Sequence, residues 1–351
     1  MKQDAEKVCQ RRSRIVQILN GDPAASPLGG AHRRGAPYSS HRAPQRVRFR
    51  SSLAAVLLDG HFEHPAKYSP LAQYMQASVP HSLRLITLLT DFGDRDWFVA
   101  GMKGAILSIY PEARIVDLTH QIVPYQIDEA AYFLKSCYRE FPEGTIHVVV
   151  VDPGVGSARR AIAVKSARYF FLGPDNGVLT HIFHDEQPVE VREIDQQTFR
   201  HGSPGRTFDG RDLFAPAAAR LAKHEPFDSY GPVIEDYRRC SISQPRWELT
   251  VLVGEIVYVD RFGNLISNLT YQHLEAVRST TTRRQSSIRI GGRIIEDLVD
   301  SYSNGLAGQP CALINSDGRL EVFLKEASVA DLLHVDKGER IEVSQGGSGH
   351  T

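Results

Sequence analysis

The apolar run Ile146-His147-Val148-Val149-Val150 leads directly into Val151-Asp152-Pro153-Gly154-Val155-Gly156. The first five residues have the composition of a strand that is buried on both faces, and the proline–glycine turn ends that strand. Asp152 therefore follows the carboxyl end of a strand, and Arg159 lies seven residues further on. Loops at the carboxyl ends of parallel strands carry the chemistry of many α/β proteins, so this stretch predicts both a fold class and the place of a site.

Strands and helices alternate on both sides of this run. The apolar patterns predict strands over 84–90, 113–118, 145–151, 161–164 and 169–172, and helices over 94–110, 127–141 and 213–222. Asp94 or Asp96 would cap the first helix. These elements predict an α/β domain with a central, largely parallel sheet over residues 83–230, followed by a linker over 231–249. The sequence has neither GxGxxG nor a Walker loop, so it does not favour a dinucleotide or P-loop site.

Residues 250–345 have a different pattern, in which short apolar runs alternate with turn residues. Strands are predicted over 249–258, 287–290, 311–314, 320–324 and 340–343, and helices only over 271–278 and 328–333. This pattern predicts a smaller, mostly β, barrel-like C-terminal domain. Residues 346–351 would form a tail.

The first 82 residues differ from the rest in charge, with 12 Lys/Arg against 5 Asp/Glu. Their arginines are interspersed with Gly, Pro and Ser without a sustained period, which predicts a basic, disordered extension. A transit peptide or a basic arm is the alternative. Met75 lies shortly before the first predicted strand and is a candidate for the true start of the protein. Beyond residue 82 the balance is 29 basic against 36 acidic residues, which does not favour a nucleic-acid partner.

The sequence shows no pattern of metal ligands. His181 and His184 lie three residues apart, but no third ligand is evident, so they are interpreted as surface histidines. Four cysteines are widely spaced without a CxxC motif, which is typical of a reducing compartment: Cys9, Cys137, Cys240 and Cys311. No apolar run approaches the roughly eighteen residues that span a bilayer. We therefore expect a soluble, cytoplasmic protein without a membrane partner.

Six short motifs follow one another in the body of the chain. They are LTDFG at 89–93, VDPGVG at 151–156, GPDNG at 173–177, TFDGRD at 207–212, DRFGN at 260–264 and INSDG at 314–318. Each alone is a common turn sequence. Together and in this order, over residues 84–345, they closely resemble the S-adenosylmethionine (SAM) hydroxide adenosyltransferases, or SAM hydrolases, which are relatives of the fluorinating and chlorinating enzymes.

The resemblance implies a reaction and an assembly. The family splits SAM at C5′ of the ribose with water, giving adenosine and methionine, and needs no metal or other cofactor. Its site lies between the α/β domain of one subunit and the C-terminal domain of the next, in a homotrimer. Two alternatives stay open, a non-catalytic protein that binds SAM or adenosine, and a halide-dependent adenosyltransferase.

The catalytic residues that the resemblance implies are Asp152, Arg159 and Asp209. Asp152 would orient a water molecule and accept its proton, while Arg159 would keep that carboxylate ionised. The halogenating relatives have tyrosine where Asp152 stands. The hydrolases usually have histidine where Asp209 stands, so three outcomes are open: Asp209 replaces that histidine as a base, it only orients Arg159, or activity is weakened.

Further residues match positions that bind the ribose. Asp91 would hold both ribose hydroxyls, and Tyr125 would pack against the ribose ring. Phe208, which precedes Asp209 in the sequence, is also expected to bind the substrate. Gly210 would leave room for water or a small anion beside C5′. The alternative for each is an ordinary role in a turn or in the core.

Another set would bind the two ends of the substrate. Asp96 and Asp260 are candidates for the methionine ammonium group, and Ser316 for the methionine carboxylate. Asn264 could read the adenine edge, and Tyr302 offers a ring on which adenine could stack. Ordinary turn or core packing is again the alternative.

Overall fold

The computed structural model describes residues 85–202, 205–279, 286–296 and 298–345. The basic extension at 1–82, Met75 and the tail at 346–351 lie outside the described residues. Within the described part, no helix combines the length and the apolar character needed to cross a membrane.

A six-stranded sheet forms the centre of the first domain. Its strands are β1 (Leu85–Thr90), β2 (Arg114–Thr119), β3 (Ile146–Val150), β4 (Ala161–Lys165), β5 (Phe170–Pro174) and β6 (Glu190–Glu193). Their order is β2-β1-β3-β5-β4-β6, in which β1, β2, β3 and β5 run parallel and β4 is antiparallel to both neighbours. All five residues of β3 are buried, as its unbroken apolar run predicts. The predicted α/β domain with a largely parallel sheet is confirmed.

Helices cover both faces of this sheet. They are α1 (Phe98–Ile109), α2 (Ile127–Cys137), α3 (Thr180–Asp185), α4 (Gln196–Phe199) and α5 (Ala215–Ala222), with a π-helical turn over Gly210–Phe214. Met102 and Ile106 of α1 pack with the residues of α5 against one face, and Leu134 of α2 packs with Ile182 of α3 against the other. Burial on both faces explains why the central strands lack the polar alternation of an exposed sheet.

The second domain is an eight-stranded antiparallel sheet that nearly closes into a barrel. Its strands are β7 (Arg246–Glu248), β8 (Val251–Val259), β9 (Leu265–Thr270), β10 (Ser286–Ile290), β11 (Arg293–Ile295), β12 (Pro310–Ile314), β13 (Arg319–Leu324) and β14 (Arg340–Gln345). The order is β11-β10-β14-β8-β9-β13-β12, with β7 paired to β8. A bridge between Leu298 and Ala312 joins the two ends of the sheet. Helices α6 (Tyr271–Ser279) and α7 (Val329–Leu333) pack against it, so the predicted barrel-like domain is confirmed.

Several local predictions were wrong. The first helix begins at Phe98, and neither Asp94 nor Asp96 caps it, because the helix starts after Trp97 without a side-chain cap. Strand β9 was missed because Ser267 and Asn268 make its sequence look like a turn. In the barrel both are satisfied, since Ser267 Oγ donates to the Leu320 carbonyl and Asn268 Oδ1 accepts from the Glu255 amide. Buried polar side chains with partners are compatible with a core strand.

Candidate active site

Two carboxylates leave the same edge of the parallel sheet. Thr90 at the end of β1 pairs with Val150 at the end of β3, so the residues that follow these strands emerge side by side. Asp91 and Asp152 are those residues, and the negative charge of Asp152 contributes to raising the pKa of Asp91. The structure therefore brings two sequence-predicted site residues together at the carboxyl edge of the sheet, where α/β proteins bind their ligands.

Asp152 and Arg159 form a buried ion pair. Arg159 Nε lies 2.8 Å from Asp152 Oδ2 and 3.1 Å from Oδ1, and Nη2 makes a further short contact with Oδ2. The Gly154 amide donates to Oδ1 across 3.2 Å. The turn from 152 to 159 thus folds back so that its own arginine grips the carboxylate at its start. A fork of this kind fixes both the position and the orientation of the carboxylate.

Asp209, the residue immediately before the π-helical turn, contacts this ion pair. Its Oδ2 accepts from Arg159 Nη2 across 2.5 Å. On the other side, Arg200 Nη1 lies 2.8 Å from Asp209 Oδ1, although its N–H bonds do not point at that oxygen. Arg200 immediately follows α4 and also donates to Gln196 Oε1. We call Asp152, Arg159, Asp209 and Arg200 the arginine–carboxylate cluster.

The arginine–carboxylate cluster combines two positive and two negative side chains with little access to water. The side chains of Asp152, Arg159 and Asp209 are 4%, 7% and 3% exposed. Burial disfavours the charged form of Arg159, but the hydrogen bonds and charges of Asp152 and Asp209 outweigh it and raise the pKa of its guanidinium. Arg159 is therefore a permanent cation at the centre of the cluster.

Asp91 lies closer to solvent than the cluster. Its Oδ2 accepts from the amide of Tyr125, whose φ of 71° turns the backbone toward it. Burial raises the pKa of the Asp91 carboxyl, and the negative charge of Asp152 adds to the increase while the Tyr125 amide opposes it. Tyr125 is 70% exposed and therefore open to a ligand, and Asp91 is half-buried.

An aromatic group lies beside these carboxylates. Phe208 makes edge contacts with the rings of Phe92, Trp97 and Phe98, at centroid distances of 5.3–5.7 Å. Trp97 is 57% exposed. Exposed rings next to a polar site can stack against a ligand, and the sequence reasoning did not single out Trp97 or Phe98 for that role.

Gly210 is needed for packing on one side. A methyl group built there would lie 3.1 Å from Met102 Sδ, 3.2 Å from Phe92 Cε2 and 3.3 Å from Phe208 Cε2. The space that its missing side chain leaves is therefore occupied by these neighbours, not by open solvent. Whether Gly210 also leaves room for water beside C5′ stays a prediction.

Three predicted residues of the second domain, Asp260, Asn264 and Tyr302, line a separate pocket of about 730 Å³. Asp260 Oδ1 accepts from the amides of Phe262 and Asn264, and Oδ2 accepts from Asn264 Nδ2. Asp260 thus holds its own turn and fixes Asn264, whose Oδ1 is left to accept from a ligand. Phe262 is 74% exposed at the tip of the turn and lines the same pocket, and the sequence reasoning did not choose it.

Tyr302 connects this pocket to a smaller one that contains Ser316. Its hydroxyl donates to Glu321 Oε1 across 2.6 Å, and Asn315 Nδ2 donates to Oε2 of the same carboxylate across 3.1 Å. Burial raises the pKa of Glu321, which is 3% exposed, against the opposing effect of these two donors. Glu321 was missed because a single Glu in an alternating strand gives no sequence signal of burial.

The described residues therefore form two half-sites. No hydrogen bond or ion pair among them joins Asp91 or the arginine–carboxylate cluster to Asp260, Asn264, Tyr302 or Ser316. Asp96 is exposed in the loop before α1. Among the described residues, no three His, Cys, Asp or Glu side chains are arranged to hold a metal ion.

Fold and site together define a two-domain protein with a carboxylate–arginine site at a sheet edge and a β-barrel ligand pocket. The family models of the SAM hydroxide adenosyltransferase N-terminal and C-terminal domains match residues 86–231 and 254–342. These matches cover more than half of the chain, so the chain belongs to the SAM hydroxide adenosyltransferase family. The resemblance drawn from the six motifs is confirmed.

The chain is similar over nearly the whole length of several relatives. It is 33% identical to the (R)-S-adenosyl-L-methionine hydrolase of Salinispora tropica over 265 residues, covering 74% of this chain and 98% of that protein. It is 32% identical to the hydrolase of the same name from Methanocaldococcus jannaschii over 272 residues, which cover 74% of this chain and 96% of that protein. It is 27% identical to a fluorinase from an Actinoplanes species over 291 residues, which cover 74% of this chain and 97% of the fluorinase.

Solved structures show the same architecture. A conserved protein from Thermotoga maritima superimposes with a TM-score of 0.69 at 31% identity, over 74% of this chain and all of that one. A conserved protein from Thermus thermophilus superimposes with a TM-score of 0.60 at 32% identity. The superposition covers 74% of this chain and 99% of that one. The two-domain arrangement is thus shared by relatives at about one-third identity.

Proposed function

We propose that the protein hydrolyses SAM to adenosine and L-methionine, and that it acts on the epimer with R configuration at sulfur. The observation that carries this proposal is the Asp152–Arg159 pair beside Asp91 at the carboxyl edge of the sheet. The hydrolase names of the relatives at about 33% identity support the reaction and supply the R epimer as its substrate.

The chemistry requires an oriented water molecule. Methionine leaves C5′ as a neutral thioether, so its departure needs no general acid and no cofactor. Forming free hydroxide at pH 7 would cost about 12 kcal/mol, because the pKa of water is near 15.7. Partial transfer of the proton to a held base during attack avoids most of that cost. Placing the water in line with the C5′–S bond lowers the barrier further.

Asp152 Oδ1 is the oxygen best suited to hold this water. A carboxylate accepts about four hydrogen bonds, and Asp152 already receives four from Arg159 and Gly154. The two on Oδ1 are the longest, at 3.1 and 3.2 Å, so they yield most readily to a water molecule. Arg159 holds the Asp152 carboxylate in place before attack, and its positive charge stays beside that carboxylate as the proton arrives.

Asp209 acts as a positioning residue in this proposal. Its two oxygens lie beside two guanidinium groups, those of Arg159 and Arg200, which favours a fixed carboxylate over a proton acceptor. Of the three outcomes left open by the sequence, the geometry favours the one in which Asp209 orients Arg159. Hydrolysis then depends on Asp152 as the base.

The binding roles follow the two half-sites. Asp91 would hold the ribose hydroxyls, with Tyr125 and the ring of Phe208 close by. Asn264 and Tyr302 would bind adenine, and Ser316 the methionine carboxylate. The ammonium group would lie near Asp96 or Asp260.

Separate half-sites support a homotrimer in which one subunit supplies the sheet-edge half and its neighbour the barrel half. The protein would work in the cytoplasm on a small molecule, without a nucleic-acid or membrane partner. The excess of acidic residues beyond residue 82 supports the absence of a nucleic-acid partner. The wide spacing of the cysteines, without a CxxC motif, supports the cytoplasm as the compartment.

The test is a product assay with each SAM epimer, with and without chloride. Adenosine and methionine in equal amounts from the R epimer, at a rate that chloride does not change, are the expected products. Formation of 5′-chloro-nucleoside would instead identify a halide-dependent enzyme. Tight binding of SAM without turnover would identify a binding protein, and turnover of the S epimer alone would overturn the proposed stereochemistry.

A further inference from the structure

One cavity in the described part of the chain contains none of the residues assigned above to the substrate. It has a volume of about 790 Å³ and lies between helix α2 and the barrel, with walls from α3, the segment 241–245, and strands β8 and β9. A volume of this size accommodates a small organic ligand.

Six side chains that can carry positive charge line this cavity. His184 pairs with Asp185 and Lys337 with Asp128, which leaves four: Lys135, His181, His273 and Arg319. Arg319 affects the charge state of each of the other three. They come from α2, α3, α6 and β13, so the two domains together bring them to one place. We call these four residues the cleft cations.

The cleft cations are poorly compensated within the described chain. Arg319 has no carboxylate within 4.0 Å there, and its guanidinium donates one long bond, from Nη1 to the Ser267 carbonyl across 3.3 Å. Lys135 Nζ is 4.0 Å from its nearest carboxylate oxygen, on Asp185. His181 Nδ1 is buried without any hydrogen-bond partner. Buried donors of this kind are costly unless something accepts from them.

The charge states agree with this geometry. Burial lowers the pKa of His181 to about 4, and the charge of Lys135 adds to the effect. Burial likewise lowers the pKa of Lys135 and of His273, with a further contribution from Arg319 in both. Each positive charge here disfavours the charged form of its neighbours, and a bound anion would favour it.

Acidic residues also line the cavity, but they do not neutralise the cleft cations. Asp128 is paired with Lys337 at another part of the wall. None of the lining carboxylates in the described part of the chain forms an ion pair with Lys135 or Arg319: Asp128, Glu129, Glu255 and Asp336. His181 was predicted to be a surface histidine, which is wrong for this residue, since it is half-buried and faces the cleft.

We propose that this interdomain cleft is a binding site for a small phosphate-bearing molecule, held by Arg319 and Lys135 with His181 Nδ1 as a further donor. A guanidinium and an ammonium group are the usual partners of phosphate oxygens. The buried ring of Tyr132, over which Arg319 lies at 5.5 Å, forms a wall for the remainder of the ligand. The site is independent of the proposed SAM reaction.

The experiment follows the imidazole signal of His181 by NMR while inorganic phosphate or glycerol 3-phosphate is added to the full-length protein. Saturable binding that raises the pKa of His181 by at least one unit is the expected result. Tighter binding of the ester would identify an organic phosphate as the ligand, and equal or tighter binding of inorganic phosphate would identify the free ion. No change at His181 with either probe would overturn the proposal.

Variants locate the site. Lys135→Gln and Arg319→Gln are each expected to weaken phosphate binding about tenfold or more, which corresponds to the loss of one charge-assisted contact. Lys223→Gln, an exposed lysine at the end of α5, is the matched control and should leave binding unchanged. Equal weakening in all three variants would contradict a specific site. Lys135→Gln should retain SAM hydrolysis, so a failure of the proposed function and a failure of this site are distinguishable.

Discussion

The guanidinium of Arg200 lies against the carboxylate of Asp209, with Nη1 2.8 Å from Oδ1. Arg200 thereby supplies a positive charge on the side of Asp209 that faces away from Arg159. Two carboxylates and two guanidiniums balance in the arginine–carboxylate cluster. The extra negative charge introduced by an aspartate, where the resemblance leads us to expect histidine, is therefore compensated within the chain.

Replacing Arg200 should expose the importance of this balance. In Arg200→Gln, Asp209 keeps only one cationic neighbour, so the cluster carries an uncompensated negative charge and Arg159 is positioned less firmly. We expect a loss of about tenfold at neutral pH, equivalent to about 1.4 kcal/mol. Arg200→Lys should restore part of the activity and Arg246→Gln should have no effect. An unchanged kcat/KM in Arg200→Gln would contradict a positioning role for Arg200.

Introducing the histidine expected from the resemblance should not help on its own. Asp209→His leaves Arg159 and Arg200 with a single carboxylate, so we expect hydrolysis to fall about tenfold or more, by the loss of a charge-assisted pair. Adding Arg200→Gln to that variant removes the excess positive charge and should recover activity. A double-mutant cycle on kcat/KM measures this coupling. A rate gain from Asp209→His alone would mean that Asp209 is a handicap.

The Asp91 carboxylate should lower the stability of the fold and strengthen the binding of SAM. Because its folded-state pKa is raised, folding holds its proton more tightly than the unfolded chain does, and stability falls as pH rises above about 3.8. Asp91→Asn removes this penalty and should raise Tm at pH 7, with the difference vanishing near pH 3. The same change should weaken SAM binding on the order of tenfold, since a charged acceptor is lost. Asp94→Asn, an exposed carboxylate in the same loop, is the control. A lower Tm for Asp91→Asn at pH 7 would contradict the account.

Two glycines provide a matched test of packing. Gly210→Ala forces a methyl group against Met102, Phe92 and Phe208 at 3.1–3.3 Å, so it should destabilise the fold by about 1–3 kcal/mol. Gly104→Ala in the exposed face of α1 meets no atom within 4 Å and should stabilise the protein by about 0.5–1 kcal/mol. Urea unfolding measures both. Equal effects of the two changes would show that the π-helical turn has room for a side chain.

The central part of the fold could be predicted from local sequence. The run 146–150 is apolar throughout, and that alone places β3 at the centre of a parallel sheet. Asp152 and Arg159 lie close in sequence, so their pairing depends only on the turn between them. The six motifs add the other residues of the site because they resemble those of the family.

Contacts made by tertiary structure could not be predicted. Arg200 reaches Asp209 only because α4 returns the chain to the sheet edge, and no spacing in the sequence signals it. Trp97 continues a helical pattern but lies before the first turn of α1, where it is exposed. His181 looks like a surface residue in the sequence, but it is half-buried and lines the cavity between α2 and the barrel. For each of these residues, packing between segments that are distant in the sequence determines its surroundings more than the local sequence pattern does.

The central claim, that Asp152 directs water onto C5′ of the ribose, can be tested by turnover of (R)-SAM in ¹⁸O-labelled water. Direct attack places one labelled oxygen on the 5′-carbon of adenosine, which mass spectrometry detects. Asp152→Asn should still bind SAM but lose this labelled product by about 100-fold or more, the usual contribution of a positioned base. Unlabelled adenosine, or a labelled product formed at the same rate by Asp152→Asn, would contradict the account.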